Sequence, residues 1–252
     1  MNLQLIRHAT LLLSINKKTI LIDPMLSPKG ALEPVKNVAN QSRNPLVDLP
    51  VSAEDLLTCD AVLITHTHRD HFDDAAACFL PKNKLIFCQP KDVEKINKSG
   101  FINVVPVKRH LNWEGISIAR TPARHGHGAT ALGLAPVSGY VLCGPAEPTV
   151  YITGDSIFYC ETKKALDKYK PNIVICNAGQ AAFSAGRPIT MGIEDIQKIL
   201  SCSPGSDIVA VHMEAWNHCV LTRNHLKKYV DENNLQSKVH VPEDGEEIQF
   251  VK

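Results

Sequence analysis

The densest group of potential metal ligands in this sequence lies in one six-residue segment. In DAVLITHTHRDHFDD, an apolar run ends at Thr65 and is followed at once by His66, His68, Asp70 and His71. Imidazole nitrogens and carboxylate oxygens are the ligands that borderline divalent metals prefer, and a short loop lets such side chains turn toward one point. Because the whole chain has 11 histidines, three of them within six positions favour a metal site over an incidental polar turn.

Three more candidate ligands follow apolar runs farther along the chain. His125 comes after ISIART, Asp155 after TVYITG, and His212 ends DIVAV. Taken singly, each has an ordinary structural alternative, as a loop residue or a buried core histidine. Because α/β sheets usually build their sites at the carboxyl ends of strands, the recurrence of such residues at strand ends favours one shared site. His127 lies two residues after His125, so from spacing alone either could be the ligand.

Composition and charge describe an ordinary globular protein. The chain has 252 residues, 44% hydrophobic and 21% charged, which suits one large α/β domain or two small ones. A formal net charge of +1 gives no global attraction to nucleic acid or to an anionic membrane. The first residues do not resemble a secretion signal, and no apolar run is long enough to cross a bilayer. Eight cysteines without a CxxC pair predict free thiols and a cytoplasmic protein.

Two kinds of element must position these residues. Strand-like runs include LQLIRHATLLLSI, TILIDP, AVLITH, KLIFCQ, INVVPV, ISIART, GYVLCG, TVYITGD, NIVICNAG, DIVAVHM and EEIQFVK. Helix-like stretches are HFDDAAACFL, KDVEKINKSG, TKKALDKY, GIEDIQKILS and TRNHLKKYVDEN. Asn16-Lys17-Lys18 predicts a hairpin turn, and the proline-rich residues 27–50 predict a long loop over the face of the domain.

The order of these elements predicts the fold class. Hairpins come first and strand–helix alternation follows, with a similar pattern in both halves of the chain. We therefore expect an α/β protein with two packed sheets and helices outside, a four-layer αββα sandwich. A doubly wound nucleotide-binding fold fits less well, because no strand leads through a glycine-rich turn into a helix.

The motif HxHxDH, here His66-Thr67-His68-Arg69-Asp70-His71, resembles that of the metallo-β-lactamase superfamily, and His125, Asp155 and His212 match the later motifs of that family in chain order. The resemblance covers essentially the whole chain, so it implies a single domain, residues 1–252, with the metallo-β-lactamase fold. RHAT followed by ILIDP, and the segment ITGDS, resemble the branch that contains the ascorbate-phosphate lactonase.

The resemblance implies a dinuclear metal centre. The first metal would be held by His66, His68 and His125, the second by Asp70, His71 and His212, and Asp155 would bridge both. Relatives in this branch carry the ligand directly after a PAx triplet, here Pro122-Ala123-Arg124, which favours His125 over His127. Zinc is the first expectation, with manganese or iron as alternatives. Asp70 and Asp155 are the expected catalytic carboxylates, since they offset the charge of the ions and Asp70 could orient the attacking hydroxide.

The function implied is hydrolysis by a metal-bound hydroxide of a small polar substrate, a lactone or a phosphoester. A phosphodiesterase or ribonuclease of the same fold is the alternative, although no basic tract supports nucleic-acid binding. Diiron redox chemistry is disfavoured because His68 stands where that version normally has a glutamate. A non-catalytic protein is disfavoured because all seven candidate ligands are present. We expect a small-molecule substrate and neither nucleic acid nor membrane as a partner; a homo-oligomer stays open.

Supporting residues are less clearly marked by the sequence. His218, His127 and Arg187 are the predicted substrate contacts, Arg187 because a guanidinium suits a phosphate or carboxylate. Asp23 in ILIDP is expected to support a ligand or to stabilise a loop. His8 in RHAT either borders the site or lies at the surface of an alternating strand.

Overall fold

The computed structural model describes residues 1–250, and its strands form two seven-stranded sheets. The first sheet contains β1 (Asn2–Arg7), β2 (Thr10–Ile15), β3 (Lys18–Ile22), β4 (Ala61–Ile64), β5 (Leu85–Cys88), β6 (Val104–Pro106) and, from the other end of the chain, β14 (Glu247–Gln249). The second contains β7 (His110–Trp113), β8 (Ile116–Pro122), β9 (Ser138–Cys143), β10 (Val150–Ile152), β11 (Ile173–Asn177), β12 (Asp207–Val211) and β13 (Val239–His240).

The two sheets share one pairing pattern. The first has the order β14-β1-β2-β3-β4-β5-β6 and the second β7-β8-β9-β10-β11-β12-β13 when read from its first strand. In each sheet the first three pairs of neighbours are antiparallel and the last three are parallel. Hairpins followed by parallel strands are what the sequence pattern predicts for both halves.

Alternating side chains build the layers, because successive residues of a strand point to opposite faces. In β11, Ile173 and Ile175 belong to the core between the sheets, whereas Val174 and Cys176 pack under the helices outside. The strand β4 divides in the same way, with Leu63 facing the inner core and its neighbours the outer one. Strands buried on both faces explain why these runs are almost continuously apolar.

Helices cover the outer faces of both sheets. On the first sheet lie α1 (Ala53–Leu56), α2 (Asp74–Phe79) and α3 (Val93–Lys98); α5 (Cys160–Tyr169), α6 (Ile193–Cys202) and α7 (Arg223–Glu232) lie on the second, and α4 (Gly128–Gly133) follows β8. The predicted four-layer αββα sandwich is thereby confirmed. Within residues 1–250, none of the helices is long and apolar enough to cross a membrane.

The run LQLIRHATLLLSI is two strands rather than one. It breaks at His8, whose φ of 63° turns the chain, so that β1 and β2 pair antiparallel. The second hairpin lies where Asn16-Lys17-Lys18 predicts it, with left-handed φ values at Asn16 and Lys17. This conformation at both central residues is that of a type I′ turn.

Residues 27–50 form the predicted long loop, and one isolated bridge between Leu32 and Asn44 is its only strand-like pairing. Asp73 fixes the start of this loop, because its carboxylate accepts hydrogen bonds from the backbone N–H groups of Leu26 and Ser27. The same carboxylate caps α2. The loop is therefore anchored beside the HxHxDH segment.

Candidate metal centre

The candidate ligands converge because the strands that precede them run in the same direction. In the first sheet β1, β3 and β4 are mutually parallel, and in the second β8, β10, β11 and β12 are. Their carboxyl ends therefore meet at one edge of each sheet. Residues that follow these strands include His8, Asp23, His66, His125, Asp155 and His212.

Three of these strand ends turn sharply through left-handed backbone. His8, Asp23 and His212 immediately follow β1, β3 and β12 and have φ values of 63°, 45° and 65°. Non-glycine residues rarely adopt this conformation, which costs free energy and tends to occur at functional sites. Gly154 also turns with positive φ, and a Cβ there would lie 2.4 Å from the carbonyl oxygen of Ser138. Only glycine fits directly before Asp155.

The first group of ligand atoms belongs to His66, His68 and His125. Their ring nitrogens lie within 4.8 Å of one another. Nε2 of His66 is 3.0 Å from Nδ1 of His68. The rings of His66 and His125 are buried, and His68 is half-buried at the edge of a cleft. Three imidazoles with an open side match the ligand set of a catalytic zinc site.

The second group surrounds the carboxylate of Asp70. Its Oδ2 atom lies 3.5 Å from Nε2 of His212, 3.8 Å from Nε2 of His71 and 3.4 Å from Nε2 of His8. All four side chains are buried and can bring one ligand atom each within 4.8 Å of the others. The sequence assigned three of them to a metal and left His8 undecided.

Asp155 lies between the two groups and divides its oxygens between them. Its Oδ2 atom is 3.3 Å from Nε2 of His125 and 3.9 Å from Nε2 of His66. Its Oδ1 atom is 3.2 Å from Nε2 of both His71 and His212. Asn177 holds the carboxylate from behind by donating its Nδ2–H to Oδ1 at 2.7 Å. Asp155 can therefore contribute one oxygen to each group.

Four imidazoles in the two groups have a polar partner on the ring nitrogen that faces away from the centre. The pairs are His66 Nδ1 with Thr65 Oγ1 at 3.1 Å, His71 Nδ1 with Asp23 Oδ2 at 2.8 Å, His125 Nδ1 with the Ile189 carbonyl oxygen at 2.9 Å, and His212 Nδ1 with Cys219 Sγ at 3.5 Å. Such partners fix the orientation of ligating histidines and raise their basicity. In these four partnered imidazoles, Nε2 is the atom left to face an ion.

The two groups differ in protonation. Burial, together with the neighbouring His71, holds the pKa of His66 well below its usual value, and burial lowers the pKa of His125. Burial also acts to lower the pKa of His71, but the carboxylates of Asp155, Asp70 and Asp23 outweigh it and raise that pKa to about 10. The pKa of His212 is likewise raised, because Asp155 outweighs burial. Without an ion, the environment of the first group therefore favours neutral imidazoles, and that of the second group favours protonated ones.

Unpartnered buried atoms show that the residues fit a metal. Nε2 of His71, Nε2 of His212 and Oδ2 of Asp155 are buried, and their contacts of 3.2–3.9 Å across the His–Asp cluster lack hydrogen-bond geometry in the described chain. Leaving such atoms unpaired costs about 1–3 kcal/mol each, so native proteins rarely do so without a reason. All three atoms belong to residues of the two ligand groups, where an ion would satisfy them.

A cleft of about 320 Å³ opens onto both groups. His68, Asp70 and His125 contribute to its floor, and His218, predicted from the sequence to contact substrate, also lines it. The rest of the lining is an apolar wall made of Val35, Leu134, Phe183, Ile189 and Trp216, together with the polar rim residues Thr67, Arg69 and Lys95. A small molecule that enters the cleft therefore meets both residues of the ligand groups and hydrocarbon.

Comparison with known proteins places this arrangement in a family. The family model described as Beta-lactamase superfamily domain matches residues 18–213. The UPF0173 protein YddR of Bacillus subtilis is 38% identical over 254 residues, which span 99% of this chain and 100% of that protein. The chain belongs to the UPF0173 family of the beta-lactamase superfamily. The superfamily resemblance drawn from HxHxDH is thereby confirmed.

Solved structures similar to this UPF0173 chain cover its whole length. The crystal structure of isothiocyanate hydrolase from Delia radicum gut bacteria is 40% identical, with a TM-score of 0.96 and 99% of both chains covered. The structure of a possible metal-dependent hydrolase from Veillonella parvula is 38% identical, with the same TM-score and coverage.

Two predicted substrate contacts of this UPF0173 chain lie away from the cleft. His127 is half-buried at the start of α4 and joins neither ligand group, whereas His125 joins the first. Arg187 is exposed and lines a separate depression beside the start of α6. Their contact with substrate stays a prediction, and the structure offers it no support at these positions.

Sequence reasoning missed Thr65 and Asn177, two residues that support this UPF0173 site. Thr65 donates both its backbone N–H and its hydroxyl to Asp23, each at 2.7 Å, and Asn177 supports Asp155. Both are polar residues at the carboxyl end of a buried strand. That position is the signal that could have identified them, since a polar side chain there faces the site edge.

Proposed function

We propose that this chain, a metal-dependent hydrolase of the metallo-β-lactamase fold, holds two divalent ions and hydrolyses small uncharged electrophiles. Isothiocyanates are the first candidates and lactones the second. The observation that carries the proposal is the cleft of about 320 Å³, which is lined both by residues of the two ligand groups and by apolar side chains. Small-molecule sites typically combine such a wall with a few convergent polar groups.

The ligand groups suit two ions, zinc first and manganese or iron as alternatives. His66, His68 and His125 would hold one ion, Asp70, His71 and His212 the other, and Asp155 both. Bound divalent ions supply the Lewis acidity that makes water a nucleophile near neutral pH. The chain itself contributes rigid positions, because nearly every ligand is buried and fixed by a partner behind it.

The apolar wall would orient the substrate. Half-buried Phe183 offers aromatic surface, and Val35 extends the wall from the long loop, whereas Trp216 is only 2% exposed. An alkyl or aryl tail that packs against these side chains is removed from water. Its burial contributes a favourable free energy of about 25 cal/mol per Å² of apolar surface covered. The polar, electrophilic end of the molecule is then directed toward the histidines.

The positions of the cationic groups favour an uncharged substrate over a phosphoester. Nζ of Lys95 already donates to the carbonyl oxygen of Thr67 at 2.6 Å. Arg187, predicted from the sequence to bind an anionic group, lines a different depression, and Arg69 is exposed at the rim. No buried guanidinium among the described residues lines the cleft to bind a phosphate in the bidentate manner. The ribonuclease alternative is disfavoured further by the net charge of +1.

Isothiocyanates fit these features, since they combine an apolar tail with an electrophilic central carbon and carry no charge. The 40% identical isothiocyanate hydrolase supports this substrate class. Addition of water across R–N=C=S gives a thiocarbamate, which breaks down to the amine and carbonyl sulfide. Lactones are the second candidate, because RHAT, ILIDP and ITGDS resemble the lactonase branch.

A three-substrate panel tests the proposal on zinc-loaded protein: benzyl isothiocyanate, followed by amine release; γ-butyrolactone, followed by acid release; and bis-(p-nitrophenyl) phosphate, followed by absorbance. We expect isothiocyanate turnover that Asp155→Asn abolishes and that Asp167→Asn, at an exposed carboxylate, leaves unchanged. Turnover of the lactone alone would select the second candidate. Turnover of the phosphodiester alone would overturn the proposal.

A further inference from the structure

His8 is the one histidine beside the ligand groups whose role the sequence left undecided. It is fully buried and follows β1 in left-handed conformation. Its carbonyl oxygen accepts the backbone N–H of His212 at 2.7 Å. The bond links the end of β1 in the first sheet to the end of β12 in the second, so the backbone fixes where the His8 ring lies.

The ring of His8 packs against two aromatic rings and meets Asp70 through Nε2. Its centroid lies 3.7 Å from that of His212 and 5.9 Å from the stacked ring of Trp216. Its Nε2 atom lies 3.4 Å from Oδ2 of Asp70. Its Nδ1 atom is buried and has no hydrogen-bond partner anywhere in residues 1–250.

This unpartnered Nδ1 distinguishes His8 from the four partnered imidazoles. If Nε2 of His8 bound an ion, Nδ1 would have to carry the ring hydrogen, and a buried N–H would lack an acceptor. If Nε2 carries the hydrogen instead, Nδ1 is only an unused lone pair, which proteins tolerate more readily than an orphaned donor. Ligating histidines almost always donate their second N–H, as the partnered imidazoles are placed to do.

We propose that His8 is a positioning residue for Asp70: a neutral imidazole that donates its Nε2–H to Oδ2 and does not itself bind metal. This inference rests on the proposed metal centre.

The hydrogen bond would restrict rotation of the Asp70 carboxylate before an ion arrives. Two further imidazoles, those of His71 and His212, approach the same oxygen. A carboxylate already held in one orientation loses less conformational freedom on binding, and partners of this kind change metal affinity by about 10–100-fold. His8 therefore tunes the second group, with no direct effect on His66, His68 and His125.

Two substitutions separate a hydrogen-bond donor from a ligand. His8→Phe keeps a flat ring and removes the donor, while His8→Gln places an amide N–H at similar reach. The dissociation constants of both Co²⁺ equivalents are measured by chelator competition, with His225→Phe, at an exposed histidine, as the control. We expect His8→Phe to weaken one equivalent by about 10–100-fold, and His8→Gln to restore most of that loss.

Spectra distinguish a hydrogen bond from His8 to Asp70 from a merely structural role of His8. At saturating Co²⁺, the visible d–d bands of His8→Gln should match those of the wild type, and ¹H–¹⁵N spectra of the zinc-loaded wild type should show the hydrogen of His8 on Nε2. A folded His8→Gln protein with altered d–d bands, or with the affinity loss of His8→Phe, would overturn the proposal, as would a wild type that binds one equivalent only. Because none of these measurements uses a substrate, failure of the proposed hydrolysis would leave them interpretable.

Discussion

The Oδ2 atom of Asp23 lies 2.8 Å from Nδ1 of His71, and both side chains are fully buried. Asp23 follows β3, and His71 comes from the loop after the neighbouring strand β4. The carboxylate also accepts the backbone N–H of Thr65. One residue thereby fixes the start of the HxHxDH loop and the ring orientation of one of its histidines.

Replacing Asp23 with Asn should weaken metal binding by about 10–100-fold. The substitution keeps the shape of the side chain but removes the charge and one acceptor, so His71 is held less well with Nε2 toward the centre. The measurement is the Zn²⁺ dissociation constant by chelator competition, with Asp167→Asn as the exposed control. Unchanged affinity in Asp23→Asn would show that Asp23 acts on the loop alone.

His125→Ala should lose metal from the first group, whereas His127→Ala should keep it. His125 is buried with Nδ1 fixed by the Ile189 carbonyl oxygen, while His127 lies outside both ligand groups. Metal content per chain, measured after purification without added ions, distinguishes the two variants. The opposite result, with metal lost only from His127→Ala, would reverse the assignment.

Metal binding to the second group should release protons at pH 7. Without an ion, the raised pKa values of His71, about 10, and of His212 keep both imidazoles protonated, and ligation requires the neutral form. Binding therefore displaces protons, and the affinity of this group should fall as pH is lowered and rise toward pH 10. Calorimetry in buffers of different ionisation enthalpy counts the protons. Heats that do not depend on the buffer would contradict the assigned protonation.

Asn217→Ala should loosen the long loop over the cleft. The side chain of Asn217 accepts from the backbone of Val35 and from Asn44, and donates to the carbonyl oxygens of Val35 and Asn40. Its loss leaves buried polar groups unpaired, which should lower the free energy of unfolding by about 1–3 kcal/mol.

Because Val35 belongs to the apolar wall, the same variant should raise KM more than it lowers kcat. Urea unfolding and steady-state kinetics check the two effects, with the exposed Asn103→Ala as control. A fall in kcat alone would mean that the loop acts on the ligand groups rather than on substrate binding.

The fold could be predicted from the sequence because its physical signals are local. Apolar runs such as NIVICN mark strands buried on both faces, and the hairpin at Asn16-Lys17-Lys18 depends on its own residues. The break at His8 could not be predicted, since a left-handed histidine leaves no compositional trace and is held by contacts from distant strands. The edge strand β7 was missed because its side chains alternate between exposed and half-buried, which weakens the apolar signal.

The candidate site was predictable to the extent that its residue types are concentrated. His66, His68 and His71 stand together in the chain, so their chemistry is visible without a structure. The cleft is not visible in this way, because Val35, Phe183 and Trp216 come from three distant segments. Arg187 shows the limit: a plausible charge in a loop lies in a separate depression, since loop paths depend on packing that periodicity does not encode.

The strand β14 completes the sheet that begins with β1, since Asn2 pairs with Gln249 and Leu3 with Ile248. During synthesis the first sheet therefore keeps one edge unpaired until residues 247–249 have left the ribosome. Contacts of such large sequence separation slow folding, and an exposed strand edge invites pairing with other nascent chains. His8 directly follows β1, so the strand that this late pairing completes is also the one that leads into the metal centre.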